Sequence, residues 1–188
     1  MTNAYHLTRD TYVDLSAIND YKEQLRRGRS EAEALAYLRT WSRDNARTPM
    51  QWDGSENAGF TTGNPWIMVN PNYKTINAQA ELRDPDSVFH YYKKLIALRR
   101  ESKWSDVIVY GTYELLAPDD EAVFAYTREK DGQKLLIVCN LSPNAVTFPV
   151  PEDLSWRESE LVIGNMATLL ERETYLLPWQ ACVWAVKK

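Results

Sequence analysis

Apolar and polar positions follow two different periods along the chain, and the change falls near residue 105. Upstream, apolar residues recur every three or four positions, as one face of a helix requires. A first helix is expected from Asn19 or Asp20 through Arg27, with Gly28 as its C-terminal cap. Ser30 with Glu33 three residues on reads as a capping box. The helix it opens carries Ala32, Leu35, Ala36, Leu38 and Trp41 and should reach about Ser42. Asp84 followed by Pro85 predicts the cap and first position of another helix. Its apolar stripe is Val88, Phe89, Tyr92, Leu95 and Ile96, and it should end near Ser102. Between these helices, residues 44–84 are rich in Asn, Gly, Pro, Thr and Trp and keep no sustained period. Loops of this length are uncommon in compact domains and are often functional.

Downstream, short alternating runs predict strands at 107–114, 122–128, 134–141 and 145–150. Weaker ones follow at 160–163, 174–177 and 181–186. Lys130-Asp131-Gly132 is a hairpin signal between the second and third. Six or seven short strands without intervening helices argue for a small antiparallel sandwich.

Composition narrows the partners. The chain has 188 residues, 44% of them hydrophobic and 26% charged, with a formal net charge of -4, so it reads as globular and shows no electrostatic footprint for nucleic acid. The short basic cluster Arg26, Arg27, Arg29 is flanked by Glu23, Glu31 and Glu33 and reads as a solvated helix end. Two histidines, two cysteines and no CxxC suggest no metal site, and no cofactor is called for. Cys139 and Cys182 lie in apolar, strand-like stretches and read as small core residues, although sequence leaves a disulfide open. No apolar run approaches the length of a membrane span, and the first residues do not resemble a signal peptide, so a cytoplasmic protein without membrane contact is the expectation. Aromatic residues reach 12%, which suits sugar stacking and core filling alike.

The run Ser42-Arg43-Asp44-Asn45-Ala46-Arg47-Thr48-Pro49-Met50-Gln51-Trp52-Asp53 carries more information. It resembles a signature of glycoside hydrolase family 13, in the branch of oligo-1,6-glucosidases, dextran glucosidases, trehalose-6-phosphate hydrolases and sucrose isomerases. The similarity continues through Asn57-Ala58-Gly59-Phe60, Asn64-Pro65-Trp66, Asn72-Tyr73-Lys74-Thr75-Ile76-Asn77 and the helix beginning Ser87-Val88-Phe89. The resemblance implies an α+β chain: the end of a (β/α)8 barrel, with its strand-8 loop and helix 8, then an antiparallel β-sandwich. Residues 1–105 would finish the barrel and 106–188 would form the sandwich.

Loops at the C-terminal face of such barrels build the substrate pocket. The resemblance therefore implies that Arg43 and Arg47 bind a glucose-containing oligosaccharide, or trehalose-6-phosphate, in the intact enzyme. A guanidinium offers five fixed donors to hydroxyls or to a carboxylate. If the backbone there is helical, the four-residue spacing puts both on one face. Asp44 is expected to be a buried structural acid paired with an arginine. Trp52 and Trp66 are expected to pin the loop, and His90 and Tyr91 to be structural.

The family's nucleophile, acid and third aspartate stand on earlier barrel strands. No His-Asp pair of the kind the family uses occurs here, so the chain alone is expected to be inactive and to need the missing barrel portion. Several 1,6-cleaving relatives carry a glutamate where an ungapped comparison places Ser16, which leaves linkage open. With helix 8 missing its barrel neighbours, the apolar stripe from Val88 to Ile96 is expected to be exposed unless the β-domain or a second copy of the chain covers it. The competing reading is a non-enzymatic carbohydrate-binding or interaction β-sandwich, and the twelve-residue run favours the hydrolase.

Overall fold

The computed structural model describes residues 2–187 and divides into two compact units, Met1–His90 and Tyr91–Lys188. The first unit is helical. Helix α1, Leu15–Arg26, turns its buried positions Ala17, Tyr21 and Gln24 toward one side, the spacing of one helix face. Helix α2, Glu31–Trp41, answers with Ala34 and Leu38. Ala17, Tyr21, Ala34 and Leu38 form one core with Ala4, Leu7 and Tyr12. Each large side chain fully withdrawn from water there contributes roughly 1.5–3 kcal/mol.

Helix α1 begins four or five residues earlier than the sequence pattern suggests. The Asp14 side chain accepts the Ser16 N–H and caps the helix, so the start lies at an acid and not at the later polar pair Asn19-Asp20. The close at Gly28 is as expected, with φ at +79°. The Ser30–Glu33 capping box is also present, each side chain meeting the other's backbone N–H.

Residues after α2 form turns rather than a structureless loop. Short 3-10 turns occupy Arg43–Ala46, Glu56–Gly59 and Pro71–Lys74, and a short helix α3 spans Ala78–Arg83. Amide side chains hold this segment together. Gln51 Nε2 donates to Asn72 Oδ1 at 2.9 Å, Asn70 Nδ2 to the Asn3 carbonyl at 3.2 Å, and Asn77 Nδ2 to the Tyr73 carbonyl at 2.8 Å. Such side chains satisfy backbone groups that no regular ladder reaches. Trp52 and Trp66, expected to pin the loop, are 53% and 65% exposed. The buried amides do that work instead.

Helix α4, Val88–Glu101, starts three residues beyond Pro85. Asp84 Oδ1 is taken by the Asp86 N–H in a local turn, and Ser87 Oγ, next to the helix, accepts from the His90 N–H. The end near Ser102 agrees with expectation. The apolar stripe on α4 is exposed as the pattern implies: Val88, Phe89, Tyr92 and Ile96 are all open to solvent. His90 Nε2 lies 3.2 Å from the Leu82 carbonyl, a structural contact.

In the second unit, the stretch expected as a first strand splits at Gly111. Helix α5, Ser105–Tyr110, precedes it and strand β1, Thr112–Leu116, follows. The remaining strands are β2 Val123–Lys130, β3 Gln133–Asn140, β4 Val146–Pro149, β5 Ser155–Gly164, β6 Glu173–Leu176 and β7 Ala181–Lys187. They form a five-stranded antiparallel sheet in the order β1-β2-β3-β7-β5 and a two-stranded sheet β4-β6. Lys130 pairs with Gln133, leaving Asp131 and Gly132 as a two-residue loop with φ of +51° and +78°. This is the primed turn whose twist suits a hairpin.

The sheets enclose a core of Val123, Ala125, Leu136, Val138, Phe148, Leu176, Trp184 and their neighbours. The opposite face of the large sheet, through Leu135, Ile137 and Ala185, packs on Val107 of α5. Strand β3 is thus buried on both faces, which is why its sequence reads as an unbroken apolar run. Val138 pairs with Cys182, so Cys139 and Cys182 stand on opposite faces and both are free thiols. Burial pushes the Cys182 thiol up to about 11.

Candidate functional site

The site gathers in the first unit around the turn that follows α2. Ser42 Oγ accepts the Asp44 N–H at 3.2 Å and starts the 3-10 turn Arg43–Ala46, while Arg47 caps its end through a backbone bond to the Asp44 carbonyl. The turn sends Asp44 inward and both arginines outward. Arg43 and Arg47 then meet one acid, Asp14, from a segment about thirty residues earlier. Arg43 Nη2 lies 3.0 Å from Asp14 Oδ1, and Arg47 Nη1 donates to Asp14 Oδ2. Each carboxylate oxygen takes one guanidinium. Arg43 Nη2 also donates to Ser16 Oγ at 3.1 Å. Ser16 therefore lies inside the cluster.

The three side chains differ in exposure. That of Asp14 is 2% exposed, whereas those of Arg43 and Arg47 are 62% and 39% exposed. The acid is on the inside and the guanidinium edges are open. Hydrogen bonding from Arg43 holds the Asp14 carboxyl down to about 2; burial opposes it, and the Ser16 N–H and the Arg43 charge add to the lowering. It is ionised at neutral pH with both oxygens occupied.

Asp44 is fully buried, as expected, but its partner is not an arginine. Its Oδ2 accepts the N–H of Val13 at 2.9 Å and of Asp14 at 3.1 Å. The arginines of the same turn point to the surface, so backbone amides supply the donors. Asp14 itself is the residue the sequence reading passed over. Its signal was available: Asp is a favoured residue immediately before a helix, where its side chain accepts the N–H of the second or third helical residue, here Ser16. Placing the helix start at Asn19 hid it.

Arg43 and Arg47 are brought together on one acid and are not folded into a closed core. In chemical terms the cluster offers hydrogen-bond donors braced on Asp14 with their outer parts open to solvent, a kind suited to binding hydroxyls. It offers no paired carboxyls for proton transfer. Among the described residues, no group of three or more His, Cys, Asp and Glu side chains converges as a metal site would require, and no helix is long and apolar enough to cross a membrane.

Comparisons with known proteins identify the group to which the chain belongs. Residues 13–111 match the profile of the alpha amylase catalytic domain, and residues 113–181 match that of the maltogenic amylase C-terminal domain. The chain is 45% identical to an oligo-1,6-glucosidase of Parageobacillus thermoglucosidasius over 192 aligned residues, covering 100% of this chain and 34% of that protein. It superposes on the crystal structure of Bacillus licheniformis trehalose-6-phosphate hydrolase with a TM-score of 0.89 at 40% identity, again over 100% of this chain and 34% of the other. The isomaltulose synthase of Erwinia rhapontici gives a TM-score of 0.84 at 36% identity with the same coverage. The chain thus spans about a third of the length of the relatives it matches. The elements anticipated from the sequence, helices and a barrel-end loop followed by an antiparallel β-domain, are those of this group. The chain belongs to the α-amylase family, glycoside hydrolase family 13.

Proposed function

We propose that these residues are the C-terminal part of a retaining α-glucosidase acting on the α-glucosidic bonds of small glucose-containing oligosaccharides, or of trehalose-6-phosphate. In this reading residues 1–105 complete the catalytic barrel and residues 106–188 form a stabilising β-sandwich. The observation that carries it is the pair of outward guanidinium groups, Arg43 and Arg47, braced on one buried carboxylate within the twelve-residue family run.

Retention needs one carboxyl group that attacks and a second that protonates the leaving oxygen, about 5–5.5 Å apart. Asp14 suits neither role. It is buried, both its oxygens are engaged, and a carboxyl held near 2 carries no proton to give at neutral pH. The reactive acids therefore belong to the barrel portion outside these residues, and the chain contributes recognition. Barrel helices from that portion cover the exposed stripe Val88, Phe89, Tyr92 and Ile96. A cytoplasmic location is part of the proposal.

The test is a chimera in which this chain replaces the matching third of the Parageobacillus thermoglucosidasius oligo-1,6-glucosidase. It should hydrolyse isomaltose or trehalose-6-phosphate with retained anomeric configuration. Arg43→Ala should lower kcat/KM roughly 10- to 100-fold, the range for a lost hydrogen bond to a charged group. Hydrolysis of a glucoside by the chain alone, or a chimera indifferent to both arginines, overturns the proposal.

A further inference from the structure

We propose that Asp14 is a positioning residue for sugar recognition, its two oxygens fixing the separation and direction of the Arg43 and Arg47 guanidinium groups. The inference rests on the reading above that these arginines meet the substrate, and deepens it by naming what sets their geometry.

Three features of the cluster carry it. First, the carboxylate divides its oxygens, Oδ1 to Arg43 and Oδ2 to Arg47, so its plane dictates how the guanidinium groups stand to each other. Second, that plane cannot rotate freely. Oδ1 also accepts the Ser16 N–H at 2.7 Å, which ties the carboxylate to the first turn of α1. Third, the bracing is reciprocal. The turn bearing the two arginines carries Asp44, which holds the backbone N–H of Asp14, while the Asp14 side chain holds the arginines of that turn. Two segments are thereby locked in both directions.

Asp14 is too buried to touch a ligand, so any effect it has on binding passes through the arginines. Arg43 commits only Nη2 to protein acceptors, and its outer edge is left for hydroxyls. Recognition of this kind loses much of its strength when donors are displaced by about an ångström.

Asp14→Asn tests the claim with little change of shape. The amide oxygen can keep the Ser16 N–H and Arg43, while the amide nitrogen faces Arg47 as donor against donor. In the chimera, this variant should raise KM about tenfold with kcat changed by less than about threefold. Arg47→Gln should raise KM similarly, and the double variant should add little to either single change. Additive effects, or a fall in kcat at unchanged KM, overturn the positioning role.

The two levels of the argument fail separately. If variants of Arg43 and Arg47 leave KM unchanged, the sugar-contact reading falls. If they raise KM while Asp14→Asn matches wild type, only the Asp14 inference falls. A direct readout guards against a variant that upsets the barrel. In the 188-residue chain itself, side-chain NMR of Asp14→Asn should show the Arg47 guanidinium released and Arg43 still restrained. Both signals unchanged from wild type would again exclude the clamp.

Discussion

One oxygen of Asp44 accepts the backbone N–H of Asp14 at 3.1 Å, so a fully buried acid supports the chain at the point where the second acid leaves it. The same oxygen takes the Val13 N–H at 2.9 Å. Asp44→Ala would leave both donors without their acceptor, the Asp14 N–H in a buried setting and the Val13 N–H in a partly buried one, and an unsatisfied buried amide costs about 1–3 kcal/mol. Chemical denaturation of the first unit should therefore show a loss of about 3 kcal/mol. Asp44→Asn, which keeps one acceptor oxygen, should lose less. Equal stability of Asp44→Ala and wild type would mean that these amides find other partners.

The low value of the Asp14 carboxyl, about 2, sets the acid behaviour of the cluster. Its folded value lies below the ordinary value of about 3.9 for an aspartate in an unfolded chain. The stabilisation is therefore complete above that ordinary value and disappears as pH falls through the folded one. The Arg43 and Arg47 contacts should persist at pH 4 and break as pH approaches 2. An acid titration of thermal stability should show this contribution decaying in that window for wild type. Asp14→Asn, which has no carboxyl to protonate, should be flatter there.

The parts of the fold legible in sequence were those set by local chemistry. The Asp131-Gly132 turn, the Ser30–Glu33 box and the Gly28 cap each depend on a few adjacent residues, and each appears as read. The misread parts depend on distant partners. Val107, Ile108 and Val109 are β-branched and read as strand, yet they form α5, because Val107 is buried against Leu135, Ile137 and Ala185. Tertiary packing outweighs so weak a local preference. At the site, the two arginines were found through a family-like run. Their common acid is marked locally only as the cap of α1, and its link to two arginines about thirty residues away leaves no trace in the sequence.

The capping box at α2 gives an inexpensive check on the helical unit. Ser30 Oγ accepts the Glu33 N–H at 3.3 Å, and Glu33 Oε2 accepts the Ser30 N–H at 2.8 Å. Ser30→Ala removes an N-cap that typically contributes about 1 kcal/mol. The thermal midpoint of the first unit should fall by a few degrees, with the arginine cluster otherwise intact. No change would indicate that the α1–α2 packing alone sets the stability there.

Two glycines of the second unit separate conformational strain from lack of space. Gly132 has a φ of +78° and nothing within 4 Å of where a Cβ would stand. Gly132→Ala meets no clash and carries only the left-handed backbone penalty of about 1–2 kcal/mol. Gly111 is the reverse case. Its φ of -61° is ordinary for any residue, but a Cβ there would come within 2.4 Å of the Val107 carbonyl oxygen and 3.2 Å of the Glu129 backbone. All three neighbouring atoms belong to the main chain and cannot swing aside. Gly111→Ala must therefore push the start of β1 away from α5 and from Glu129 of β2, at about 3 kcal/mol, the upper end for overpacking. Measured side by side, Gly111→Ala should be the more damaging change despite its unexceptional backbone angle. The opposite order would mean that the α5–β1 corner yields more readily than the hairpin turn.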